Sequence, residues 1–218
     1  PTMPNVIGPG VLITNPRPTW TWTTGGGGSN GQYRYGYTEG VWIATNAAVT
    51  EFTPPANLPD GTYTLYVQER SASGMWSGSG SATTVIDTTP PTIPIASVDP
   101  TNTNGYPTWR WRTLPESGGM GLFGYRFESG MVKTIDPWTE TVLQIYTPKE
   151  ALADGTYTLY VRERDAAGNW SLPDSATVIV DRTPPNPPVV TGTTPTNDDT
   201  PEWTWTPGGG GNGVYRYR

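Results

Sequence analysis

Hydrophobic and polar positions alternate along this chain in short runs instead of recurring at a helical interval. In Thr19-Trp20-Thr21-Trp22-Thr23 the two indoles share one face and the threonines the other, which is the period of a half-buried strand. Further on, Tyr63, Leu65 and Val67 point one way while Thr62, Thr64 and Tyr66 point the other. Asp60-Gly61 and Asp154-Gly155 supply a tight turn just before this strand and its later copy. The segments from Ala82 to Ile86 and from Ala176 to Val180, rich in Thr and Val, read as closing strands. No helix-period run with caps interrupts the series, so the pattern predicts an all-β protein of short strands.

The pattern repeats. Asp60 to Arg70 reads DGTYTLYVQER and Asp154 to Arg164 reads DGTYTLYVRER, identical at ten of eleven positions. The same displacement relates Ile86-Asp87-Thr88-Thr89-Pro90-Pro91 to Val180-Asp181-Arg182-Thr183-Pro184-Pro185, and Gly74-Met75-Trp76-Ser77 to Gly168-Asn169-Trp170-Ser171. PTWTWT from Pro18 matches PTWRWR from Pro107 and PEWTWT from Pro201. Tyr33-Arg34-Tyr35, Tyr125-Arg126-Phe127 and Tyr215-Arg216-Tyr217 form a further matched set. Boundaries inside each double proline give units 1–90, 91–184 and an incomplete 185–218. About seven short strands in some ninety residues is the size of an immunoglobulin-like sandwich.

Composition narrows the reading. With 27 Gly and 24 Pro the chain approaches low complexity, but 10 Trp and 12 Tyr supply ample apolar surface to bury. A net charge of −6 disfavours nucleic acid as a partner. With neither Cys nor His, disulfides, thiolate nucleophiles, histidine bases and zinc sites built from those ligands are excluded. No apolar run is long enough to span a membrane as a helix. The chain begins at Pro1 without an initiator Met, as expected of an internal piece of something longer.

Leu58-Pro59-Asp60-Gly61-Thr62, Asp165-Ala166-Ala167-Gly168-Asn169-Trp170-Ser171 and Val180-Asp181-Arg182-Thr183-Pro184-Pro185 resemble the bacterial immunoglobulin-like repeats of large surface adhesins and secreted multi-repeat proteins. The first motif is also similar to a strand opening of fibronectin type III modules. The resemblance implies tandem sandwiches, an extracellular or cell-surface location in a bacterium, and calcium held at module junctions in some relatives.

Several residue groups are candidates for chemistry. The glycine runs Gly25 to Gly28 and Gly208 to Gly211 lack the following Lys-Ser/Thr of a phosphate loop and read as flexible connections between strands. Trp20, Trp22, Trp42 and Trp76, with Trp109, Trp111, Trp138 and Trp170, read as core in place of disulfides; stacking on sugars is the alternative. Arg34 and Arg126 are expected to pair with Glu69 and Glu163 on neighbouring strands, which argues against a catalytic pair of carboxylates, and no catalytic residue is assigned. Hard oxygen ligands at Asp60, Asp87, Asp154, Asp165 and Asp181 are the candidates for calcium, although unit 1 carries Ser71 and Met75 where unit 2 has Asp165 and Asn169.

The expected function is therefore structural and not enzymatic. An array of modules joined by stiff Thr-Pro-Pro linkers would serve as a stalk, spacer or fibre component of a surface adhesin or filament, its partners being neighbouring repeats or other copies. The alternative is a module that binds glycan or a host surface protein through exposed aromatics. Residues 185–218 carry only the opening strands of a unit, so Trp203 and Trp205 are expected to lack a facing sheet.

Overall fold

The computed structural model describes residues 1–102, 104–129, 137–192 and 197–218. Every regular element among them is a strand. The first unit contains β1 (Asn5–Ile7), β2 (Leu12–Ile13), β3 (Trp20–Thr23), β4 (Ser29–Gly36), β5 (Ala44–Ala47), β6 (Glu51–Phe52), β7 (Gly61–Ser71) and β8 (Gly80–Ile86). A three-stranded sheet, β1-β3-β6, faces a five-stranded one, β2-β8-β7-β4-β5. The opening segment serves both layers. Residues Asn5 to Ile7 pair antiparallel with β3; Gly8-Pro9-Gly10 then breaks the ladder, and Leu12-Ile13 pair parallel with the end of β8. Proline cannot donate to a ladder, and Gly10 turns the chain at a φ of 147°. This change of sheet makes eight short strands where the pattern suggested about seven.

The second unit repeats the plan with β9 (Ile95–Ser97), β10 (Thr101–Asn102), β11 (Trp109–Arg112), β12 (Gly119–Ser129), β13 (Thr139–Thr141), β14 (Ile145–Tyr146), β15 (Gly155–Asp165) and β16 (Asp174–Val180). Its sheets are β14-β11-β9 and β10-β16-β15-β12-β13. In residues 185–218, β17 (Val189–Gly192) pairs with β18 (Trp203–Thr206).

Each sandwich closes on one aromatic-rich core. Trp20, Trp22, Tyr33, Leu65 and Val67 fill the first; Trp109, Trp111, Phe123, Leu159 and Val161 fill the second. The alternation of Thr-Trp-Thr-Trp therefore translates directly into burial, with both indoles inside and both threonines of β3 outside. Trp20 Nε1 donates to Ala82 O, and Trp109 Nε1 to Ala176 O, so these deeply buried rings satisfy their polar edge across the sandwich. Tyr63 and Tyr157 are half-buried, because each hydroxyl reaches back to a carbonyl four residues upstream, Pro59 O and Ala153 O. That contact fixes the turn entering β7 and β15 in the manner of a tyrosine corner. In β18 the same Trp-x-Trp motif has no facing sheet among the described residues, and Trp203 stays 61 % exposed.

Candidate functional site

The functional features lie at the poles of the sandwiches and on the outer face of each five-stranded sheet. The poles are defined by β7 and β15. At the start of β7 the Asp60 carboxylate accepts the Thr88 N–H (2.9 Å), the Thr88 hydroxyl (2.7 Å) and the Thr89 hydroxyl (2.6 Å). Those hydroxyls and the Thr88 amide hold the carboxyl below its usual range. Asp154 does the same for the next exit, binding the Thr183 hydroxyl and the Arg182 N–H. The chain leaves each sandwich at this pole. It enters at the other, where Thr2 N–H donates to Gly26 O and Ala72 N–H, just beyond β7, donates to Gly28 O. Eleven residues of strand separate the two, or about 33 Å at the usual rise.

The glycine runs are part of the incoming pole. A Cβ on Gly25 would meet Met3 O at 2.1 Å, and one on Gly208 would meet Pro187 O at 2.2 Å. Contrary to the expectation of flexible connections, these loops are bonded to the incoming segment. Thr2, Thr92 and Asn186 each donate their N–H to the loop, at Gly26 O, Ser117 O and Gly209 O. Glycine is required because backbone lies against backbone.

At the junction of units 1 and 2 the turn after β15 meets the exit of β8. Asp165 is buried, and its Oδ1 accepts the N–H groups of Gly168 (2.7 Å) and Asn169 (2.8 Å). The Asn169 side-chain amide donates to Asp165 Oδ2 and, across the junction, to the Asp87 carbonyl, both at 2.9 Å. In unit 1 Ser71 Oγ plays the part of Asp165 toward the Met75 N–H, but Met75 has no amide to offer.

The outer faces carry a ladder of cations and indoles. In unit 1 the Arg34 guanidinium lies 4.5 Å from the Trp42 ring centre and 4.4 Å from that of Trp76, with Arg70 also over Trp76. In unit 2 the matching slot, between Trp138 and Trp170, is filled by Arg162 at 4.2 and 4.3 Å. Arg126 and Arg164 extend it. Half of the repeated tryptophans thus lie outside the core, where their rings are occupied by guanidinium groups.

This arrangement overturns the expected pairing of Arg34 with Glu69 and of Arg126 with Glu163. Register places Arg34 opposite Gln68 and Glu69 opposite Tyr33, so arginine and glutamate sit on opposite faces of the sheet. Arg34 bonds Gln68 Oε1 instead. Register also corrects the alignment of the units. Tyr33 corresponds to Phe123, opposite Glu163, and not to Tyr125. A slip of two residues preserves the face, which is why Tyr-x-Tyr and Tyr-x-Phe matched.

Glu69 and Glu163 are fully buried at the incoming pole. Glu69 Oε2 accepts the Gly25 N–H at 3.1 Å, and its Oε1 has no hydrogen bond. Burial pushes its pKa up, but the Ser29, Thr24 and Tyr33 hydroxyls and the Gly25 amide together hold it below the usual value. Glu163 has the Gly121 N–H at 3.2 Å on Oε1 and no hydrogen bond on Oε2. Burial there pushes the carboxyl above its usual value, only partly offset by Gly121.

The five aspartates named as calcium candidates fall at two kinds of place. Asp60, Asp87, Asp154 and Asp181 cluster at exits, the second and fourth accepting the N–H of Thr89 and Thr183; Asp165 lies at the incoming pole of unit 2. Among the described residues no three acidic side chains gather in a group that could hold a metal ion.

Residues 137–182 match the family described as bacterial Ig-like domain. A solved segment of titin superposes with a TM-score of 0.55 at 13 % identity, covering 82 % of this chain and 67 % of that one. These are immunoglobulin-like sandwiches in tandem, as the motifs implied. Among curated proteins the chain is similar to exoglucanase B of Cellulomonas fimi (26 % identical, 70 % of this chain) and to endoglucanase B of the same organism (31 %, 61 %). It is also similar to chitinase A1 of Niallia circulans (27 %, 65 %). The chain spans 14 %, 13 % and 20 % of their respective lengths.

Proposed function

We propose that these repeats form a non-catalytic spacer in an extracellular bacterial protein, setting the distance between other parts of it. The observation that carries the reading is the polarity of each sandwich: the chain enters at the Gly25–Gly28 loop and leaves at Asp60, at opposite ends of β7. Modules so built add length with each copy. The relatives named as glucanases and a chitinase favour a parent protein that works on polysaccharide; the stalk of an adhesin or filament is the other setting for the same device. Sugar binding by the outer tryptophans is disfavoured because a glycan ring would compete with Arg34 and Arg70 for Trp76.

Small-angle scattering of the chain, together with co-sedimentation on microcrystalline cellulose and on chitin, tests this. An elongated particle that stays in the supernatant is expected. A compact particle, or sedimentation that is abolished by Trp76→Ala, would transfer the function to a glycan-binding module.

A further inference from the structure

We infer that the turn following β15 is a docking surface for the exit segment of the preceding unit, and that Asn169 is the residue that fixes the angle of this joint. The inference rests on the spacer reading and adds to it which joints are fixed. Between two sandwiches joined only by a linker, relative motion is the default. Here the linker is fastened on both sides: Asp60 holds Thr88 and Thr89 on unit 1, and the Thr92 N–H is bonded to Ser117 O on unit 2. These bonds fix the two ends of the linker, and with φ locked at Pro90 and Pro91 only their ψ angles remain free.

The contact from Asn169 Nδ2 to Asp87 O closes that freedom, because it ties the body of unit 2 directly to the residue that follows β8 of unit 1. Asp87 is itself anchored, its N–H donating to Ile13 O at 3.0 Å. Asn169 is equally well held. Asp165 accepts both its backbone N–H and its side-chain amide, which leaves the second amide hydrogen aimed outward at the carbonyl. Three short bonds to one buried carboxylate thus present one donor in a fixed direction.

Unit 1 provides the internal contrast. Its turn, Ser71-Ala72-Ser73-Gly74-Met75, keeps the backbone bond but ends in an exposed methionine. A turn of the Asp-Ala-Ala-Gly-Asn kind therefore makes a fixed joint with whatever Asp-Thr-Thr-Pro-Pro or Asp-Arg-Thr-Pro-Pro segment precedes it. A turn of the Ser-Ala-Ser-Gly-Met kind makes a hinge. Residue identity at this one turn becomes a way of writing stiff and bending joints into an otherwise uniform array.

The test uses the full chain, whose lack of cysteine allows clean labelling. Spin labels at Thr21→Cys and Arg110→Cys, both exposed on the three-stranded sheets, report the distance between units 1 and 2. A single narrow distribution is expected. Asn169→Met, which copies unit 1, and Asn169→Asp, which keeps the shape but cannot donate, should each widen it by about twofold, since one net hydrogen bond biases an orientation by roughly two- to tenfold. Asp165→Ser should widen it less, because the donor remains. Every variant should keep the melting transitions of the parent chain, which separates a loosened joint from a misfolded unit. An unchanged distribution in both Asn169 variants, or a broad one in the parent chain, would overturn the inference. Binding to cellulose by a chain with a narrow distribution would instead overturn the spacer reading and leave the joint intact.

Discussion

Arg34 and Gln68 face each other across β4 and β7, the guanidinium Nε bonding Gln68 Oε1 at 2.8 Å, and in unit 2 the same two places hold Gly124 and Arg162. The cation between the two outer tryptophans is thus retained while the strand that supplies it changes. Gly124 makes room for the exchange, since a Cβ there would lie 3.3 Å from both Arg162 Nε and the Trp170 ring. Arg34→Ala should destabilise unit 1 by about 1–3 kcal/mol through loss of two ring contacts. The double change Arg34→Gly with Gln68→Arg should recover at least about 1 kcal/mol relative to the sum of the single changes. Denaturant melts of all four chains form the cycle, and simple additivity would show that the slot has no energetic meaning.

This exchange also marks the limit of what the sequence discloses. Alternation within Thr-Trp-Thr-Trp and Tyr-Thr-Leu-Tyr-Val is local, so the core tryptophans and the strand faces were readable without a partner strand. Parity along β7 places Glu69 with Leu65 and Val67 on the inner face, yet charge complementarity suggested an outward salt bridge with Arg34. Strand period, and not charge complementarity, decides which face a side chain takes. The ladder was hidden for a different reason: which side chain lies beside which depends on cross-strand register, and β4 and β12 each carry a bulge near their start. Likewise the asparagine at the joint reads as ordinary turn chemistry until the preceding unit is placed against it.

The Trp-x-Trp motif should have very different weight in different units. Trp20 is fully buried, and Trp20→Ala is expected to cost about 3–5 kcal/mol as a core truncation. Trp203, in the same motif, is 61 % exposed, so Trp203→Ala should change stability by less than about 0.5 kcal/mol in this chain. Thermal melts followed by near-ultraviolet circular dichroism read both. Equal losses would mean that the ring of Trp203 is covered in solution.

Glycines divide in the same way. Gly25→Ala forces a methyl group into Met3 O and should cost about 1–3 kcal/mol by overpacking. Gly78 has an ordinary backbone and open space around it. Gly78→Ala should therefore be neutral or stabilise by up to about 1 kcal/mol through the unfolded chain. If both substitutions were equally tolerated, the loop would not be packed on the incoming segment.

The two buried glutamates should give the units opposite responses to acid. They occupy equivalent places, but Glu69 faces the Tyr33 hydroxyl where Glu163 faces the ring of Phe123. Glu69 is held below the usual carboxylate range by hydroxyl and amide donors that outweigh its burial. Its folded state therefore binds fewer protons than the unfolded chain. The stability it contributes is present above the ordinary glutamate pKa and is lost as the pH falls through the depressed value. Glu163 is raised, chiefly by burial. Its contribution is fully present below the ordinary value and is lost as the pH rises through the elevated one. Carboxyl carbon resonances followed from neutral pH to acid should show Glu163 protonating well before Glu69. Phe123→Tyr should move Glu163 downward by supplying the missing donor, and Glu163→Gln should remove the acid-side gain of unit 2 while leaving unit 1 unaltered. Titration of the two groups together, before or after Phe123→Tyr, would show that the tyrosine hydroxyl does not distinguish them.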